Sequence, residues 1–162
     1  MSGPERIEID LTRQELVLKR GDAVAARYPV STARNGSGER LDSECTPRGA
    51  HTVSAKVGAG CATNTVFVGR RPTGEIYDER LAASAPGRDW ILTRILWLAG
   101  LEPGRNAGGE CDTLARYIYI HGTPDATPLG RPGSRGCIRM RNADVVALFD
   151  QVEVGTPVDI RD

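Results

Sequence analysis

The sequence predicts a mostly β protein, a β-rich sandwich or barrel, with two short helices inserted late in the chain. Three observations carry this. Short polar/apolar alternations recur, turn residues punctuate them, and no regular strand–helix alternation of the βαβ kind is present. The 162 residues are expected to form one domain, residues 1–162, large enough to bury a core without disulfide or metal staples.

The first thirty residues read as a β-meander. Arg6-Ile7-Glu8-Ile9-Asp10-Leu11 alternates, Leu16-Val17-Leu18 continues, Arg20-Gly21-Asp22 turns, and residues 23–30 return as a strand. Residues 31–47, rich in Ser, Gly, Asn and charge, read as a surface loop ending in the turn Thr46-Pro47-Arg48-Gly49. Residues 50–55 and Thr65-Val66-Phe67-Val68 follow as strands, the second closed by Gly69 and by Pro72-Thr73-Gly74. A helix is expected from an Asp89 N-cap through residues 90–98 to Gly100, apolar on nearly every side and therefore deeply packed. Residues 116–121 read as a strand with Tyr117, Tyr119 and His121 on one face and Ile118 and Ile120 on the other. Residues 122–133 contain Pro124, Pro128 and Pro132 and are expected to be irregular. Asn142 can cap a second helix carrying Val145, Val146, Leu148, Phe149 and Val152, and Val158 and Ile160 mark a last strand.

Charge excludes some function classes. Twenty-one basic side chains balance twenty-one acidic ones, so there is no global positive field for nucleic acid or anionic membrane. No apolar run reaches the ~18–20 residues of a membrane span. The opening Met-Ser-Gly-Pro-Glu-Arg lacks the apolar region and small-residue cleavage site of a signal peptide. A cytoplasmic protein is the expectation, a periplasmic form with its leader removed the alternative. Cys45, Cys61, Cys111 and Cys137 form no Cys-x-x-Cys pair, and His51 and His121 are the only histidines, so no metal site and no cofactor are expected.

Two residues draw attention as chemistry. Cys137 follows Gly136 in Ser134-Arg135-Gly136-Cys137-Ile138-Arg139, where a buried structural thiol would be out of place. Arg135 and Arg139, at i−2 and i+2, would share its face in an extended segment and favour thiolate. Gly136 permits close substrate approach, with neighbouring N–H groups as oxyanion donors. The competing reading is an ordinary loop cysteine near scattered arginines. His121 ends a tyrosine-bearing strand just before Gly122, where imidazole can take a thiol proton and the Gly122 carbonyl can hold its other nitrogen. Its bland alternative is a histidine satisfied by hydrogen bonds at a strand end, which is the preferred reading of His51.

His121-Gly122, a Pro/Gly loop and Ser134-x-Gly136-Cys137-Ile138-Arg139 together resemble the signature of the L,D-transpeptidase catalytic domain, YkuD type. Tyr28-Pro29-Val30-Ser31-Thr32 and Thr46-Pro47-Arg48-Gly49 are similar to the family's early strand and Thr-Pro-x-Gly turn. The resemblance implies a mostly β fold with Cys137 as nucleophile attacking the L-centre of diaminopimelate in a murein tetrapeptide. It implies His121 as base and then acid, and N–H groups around Gly136 and Cys137 as oxyanion hole. Ser134, Arg135, Arg139 and Tyr119 are the expected substrate contacts, and a murein tetrapeptide or peptidoglycan fragment the expected partner. One departure stands out: Arg135 occupies a position where the family usually has His. A permanent cation there is suited to a substrate carboxylate and disfavours an incoming ammonium. The leading expectation is thus an L,D-carboxypeptidase that releases terminal D-alanine, with a cross-linking L,D-transpeptidase and a non-catalytic murein-binding module as alternatives.

Overall fold

The structure is a computed structural model that describes residues 4–162; residues 1–3 of the opening segment lie outside the described residues. Strands β1 (Glu5–Asp10), β2 (Glu15–Arg20) and β3 (Ala23–Ser31) form the expected meander, each pairing antiparallel with the next. After the irregular segment 32–48 come β4 (Gly49–Val57), β5 (Thr65–Val68) and β6 (Arg71–Ile76). Helix α1 (Glu79–Ser84), β7 (Leu92–Gly100), β8 (Tyr119–Thr123), β9 (Ile138–Arg141), α2 (Asn142–Gln151) and β10 (Pro157–Arg161) complete the chain.

The hydrogen-bonded order is β4-β10-β1-β2-β3-β9-β8-β7, and β7 pairs back onto β4, so these strands close as a barrel. β5 and β6 form a hairpin that branches from β7 at the Val66–Leu92 pair. Two pairings are parallel, β1 with β10 and β8 with β9. Ile7, Ile9, Leu16, Leu18 and Ile120, on the alternations read in the sequence, share one fully buried core with Leu96, Leu98 and Ile138. Each such aliphatic side chain contributes about 1.5–3 kcal/mol on burial. α2 packs against β7, β8 and β9 and adds Val145, Leu148 and Phe149 to the core.

Two α-helices lie among the described residues, but one is not where the sequence put it. The expected helix from Asp89 to Gly100 is the strand β7. Because β7 is covered on both faces, by the barrel core and by Phe67 of the hairpin, it reads as a continuous apolar run. Periodicity alone cannot separate such a run from a buried helix. The helix that does exist there, α1, is short and solvent-exposed, and Asp78 caps it by accepting from the Leu81 N–H at 2.7 Å. β6 runs through Pro72-Thr73-Gly74, which reads as a turn; as an edge strand it tolerates the proline. β8 starts at Tyr119 instead of 116, and Tyr117 stands in a turn at φ 58°, so only Tyr119 and His121 share a strand face.

No helix among the described residues is long and apolar enough to cross a membrane. All four cysteines are free. His51 is buried between the Gly49 carbonyl and the Thr113 hydroxyl, each at 2.9 Å, a structural histidine as read.

Gly122 makes a close approach to both β7 and α2. A Cβ there would collide with Asn142 Oδ1 and lie 2.6 Å from the Leu92 carbonyl oxygen. Gly122→Ala is expected to cost about 1–3 kcal/mol as β7 and β8 are forced apart. A fall in the urea midpoint at unchanged slope checks this; an unchanged midpoint contradicts it.

Candidate active site

The site is built on the parallel β8–β9 pair. Ile120 lies opposite Ile138 and His121 opposite Arg139, so the residue two before Arg139, Cys137, belongs to the face of Tyr119 and His121. Parallel strands need a long crossover, and residues 124–137, with their three prolines, supply it without a helix. The result is a cleft of about 460 Å³ lined by Cys137, His121, Tyr117, Tyr119, Ser134, Arg135, Arg139, Asp89, Ile91, Gly69 and Arg70.

Cys137 is held by its own turn. Ser134 Oγ donates to the Cys137 carbonyl at 2.6 Å and accepts from the Gly136 N–H at 3.1 Å. The Ser134 N–H donates to the Thr32 carbonyl at 2.8 Å, and Thr46 Oγ1 donates to the Gly136 carbonyl at 2.9 Å. Gly136 has φ 128°, with the Cys45 carbonyl oxygen 3.2 Å from where a Cβ would sit, so glycine is required there. Since its N–H is taken by Ser134, Gly136 supplies no free oxyanion donor, and the N–H of Cys137 itself is the remaining candidate. Ser134 is buried with its hydroxyl engaged on both sides, which makes it a strut of the turn.

The thiol donates to the Tyr117 carbonyl at 3.4 Å and accepts from the Tyr119 N–H at 3.3 Å. Burial pushes its pKa from the ordinary 9.0 up to about 12, against the Tyr119 N–H, Arg139 and Arg116, which pull it down; Asp89 adds to the rise. The expectation that flanking arginines favour thiolate is therefore corrected. Arg139 is held by Asp89 at 3.1 Å and the Gly133 carbonyl at 3.1 Å, and Arg135 is exposed at the cleft. Desolvation outweighs charge, and the resting group is a thiol.

His121 is buried, and Nδ1 donates to the Gly122 carbonyl at 2.6 Å. That bond leaves Nε2 as the bare acceptor of the neutral ring. Burial lowers the His121 pKa and Arg139 reinforces this, while the Gly122 carbonyl and Asp89 oppose it. The neutral imidazole and the neutral thiol line one cleft without a direct hydrogen bond between them, and the bare Nε2 has the form a proton acceptor needs.

Tyr119 is buried and its hydroxyl accepts from Arg70 Nη1 at 2.8 Å. Arg70 was not singled out in the sequence; it sits at the turn between β5 and β6, with nothing in its local pattern to flag it. Asp89 was read as a helix cap and is instead the carboxylate partner of Arg139. Thr46 was read only as a turn residue, yet its hydroxyl ties the segment 32–48 to the nucleophile turn, accepting from the Ala33 N–H at 3.0 Å. Such contacts span tens of residues and leave no local signature.

A family model of the L,D-transpeptidase catalytic domain matches residues 4–160. The chain is similar to a putative L,D-transpeptidase YqjB of Bacillus subtilis, 29% identical over the whole chain and 74% of that protein. It is also similar to a probable L,D-transpeptidase ErfK/SrfK of Escherichia coli, 49% identical over 49 residues, which are 30% of this chain and 16% of that one. Among solved structures, L,D-transpeptidase 3 from Mycobacterium tuberculosis bearing a faropenem-derived adduct aligns with TM-score 0.60 at 16% identity, covering 98% of this chain and 60% of that one. An L,D-transpeptidase from Mycobacterium smegmatis aligns with TM-score 0.56 at 19% identity, over 98% and 58%. These two likenesses speak for the fold.

The pKa directions fix a pH dependence. His121 must be neutral to accept a proton, and its pKa lies below the ordinary 6.5, so acylation of Cys137 should stay level from pH 9 down past 6.5 before falling. His121→Ala should reduce the rate at pH 7 by about 10²–10⁴-fold and leave it climbing with pH toward the thiol pKa. Single-turnover acylation across pH checks both; an unaltered plateau in the variant removes His121 from the reaction.

Proposed function

The chain belongs to the L,D-transpeptidase catalytic domain family, and we propose that it is a cysteine acyl-transfer enzyme acting on the L,D bond of murein tetrapeptides as an L,D-carboxypeptidase. The observation that carries the reading is one cleft containing the Cys137 thiol and a buried His121 whose Nδ1 is tied to the Gly122 carbonyl. Cys137 Sγ attacks the carbonyl at the L-centre of diaminopimelate as its proton passes to His121 Nε2. The C–N bond then breaks, and His121 returns that proton to the departing D-alanine amine, leaving a thioester. Water attacks the thioester with His121 taking its proton; the tripeptide leaves as its carboxylic acid and the thiol is restored.

Arg135 favours hydrolysis over cross-linking. It is exposed at the cleft and forms no ion pair among the described residues, so it can hold the terminal carboxylate of D-alanine and repel an ammonium acceptor. The matched segment spans only a small part of the Escherichia coli relative, and the names of the curated relatives favour a second reading, cross-link formation by the same acyl-enzyme. Water as acceptor suits soluble recycled peptides, and on that ground we place the reaction in the cytoplasm.

Incubation with purified tetrapeptide should yield tripeptide and D-alanine, with the diaminopimelate side-chain amine failing to compete; accumulation of cross-linked dimer would overturn the hydrolytic assignment. Cys137→Ala should abolish both products. Immunoblotting of fractionated cells should find the protein with soluble cytoplasmic markers, and recovery with periplasmic markers would reverse that placement.

A further inference from the structure

Cation balance in the cleft goes beyond what the acyl-transfer reaction needs. Arg70, Arg135 and Arg139 line it against one carboxylate, Asp89, although the chain as a whole is neutral. Asp89 is taken by Arg139, which leaves two guanidinium groups without an ion-pair partner among the described residues. They stand on different walls. Arg135 is on the nucleophile turn and also borders the clefts around Arg34 and Glu44 and around Leu41 and Ile118. Arg70 is on the β5–β6 turn and lines the cleft with the thiol.

Arg70 is also the more firmly placed of the two. Its guanidinium lies 4.5 Å from the Trp97 ring centre and 4.9 Å from that of Tyr117, and donates to Tyr119 Oη at 2.8 Å. Stacking orders the cation without neutralising it. One of its five N–H groups is used, and the described residues offer no acceptor for the rest. Tyr117 and Tyr119 are also the residues whose backbone contacts the sulfur, so the stacked cation and the nucleophile share one wall.

We propose that Arg70 is a specificity-determining residue that forks a second carboxylate of the acyl donor, distinct from the terminal carboxylate given to Arg135. Resting on the acyl-transfer reading, this assigns the enzyme to donors whose diaminopimelate side chain carries a free carboxylate and against donors in which it is amidated. An amide puts a neutral NH2 where the fork needs an anion, leaving the guanidinium opposite another donor.

Binding to the Cys137→Ala protein tests this without turnover. The tetrapeptide with a free diaminopimelate carboxylate should bind about 10-fold tighter than its side-chain amide, the usual scale of one charge-assisted hydrogen bond. In Cys137→Ala/Arg70→Gln the gap should vanish, with affinity for the free acid falling to that for the amide. Arg70→Lys in the same background retains charge and stacking without the fork and should keep only part of the gap, which separates recognition from loss of the hairpin. Equal affinities in the Arg70 protein, an undiminished gap in Arg70→Gln, or no binding of either peptide would overturn the assignment. If the unmutated enzyme turns over neither peptide while the Cys137→Ala protein still discriminates, the acyl-transfer reading fails and the carboxylate site stands.

Discussion

The in-register parallel contact between β8 and β9 is the constraint on which the site depends. Pairing of Ile120 with Ile138 puts Ile118, Ile120, Ile138 and Met140 into the core and Tyr119, His121, Cys137 and Arg139 on the opposite face. A slip of one residue would bury the thiol among aliphatic side chains and turn the imidazole away from it. The hydrophobic core thereby shapes the cleft: the same alternation that stabilises the barrel sets the Cys137 thiol and the His121 imidazole on one face.

Holding the pair is a separate task, carried by hydrogen bonds from distant parts of the chain. Thr32, Thr46 and Ser134 clamp the nucleophile turn, while the crowding at Gly122 keeps the carbonyl that orients His121 close to β7. Burial then dominates the electrostatics. It raises the thiol and lowers the imidazole, so both rest uncharged in a cleft that nonetheless contains three arginines. A resting neutral thiol is protected from the side reactions that a free thiolate undergoes. Of these arginines, Arg139 is paired with Asp89, while Arg70 and Arg135 have no carboxylate partner among the described residues.

How legible this was differs by element. The meander, β4, β5, α2 and β10 follow from alternation and turn residues, because each has one wet and one dry face or a helical stripe. The segment after Asp89 failed for the opposite reason: β7 is covered on both sides, so its apolar residues carry no period. β6 was hidden by an edge-strand proline, and α1 by burying nothing. Within the site, Cys137, His121, Gly122 and Arg139 could be singled out because local pattern marked them. Arg70, Asp89 and Thr46 could not, since their partners lie 49, 50 and 90 positions away.

By itself, then, the sequence determined the mostly β class, the helix after β9, and a thiol and an imidazole in a pattern typical of a cysteine acyl-transfer family. Only the tertiary structure decided that the barrel closes through β7 onto β4, that desolvation outweighs nearby cations at Cys137, and that Arg70 faces the cleft. The division has a physical cause. Alternation and turn chemistry act between neighbours along the chain, whereas closure, desolvation and cation placement depend on which distant segments exclude water from the same volume.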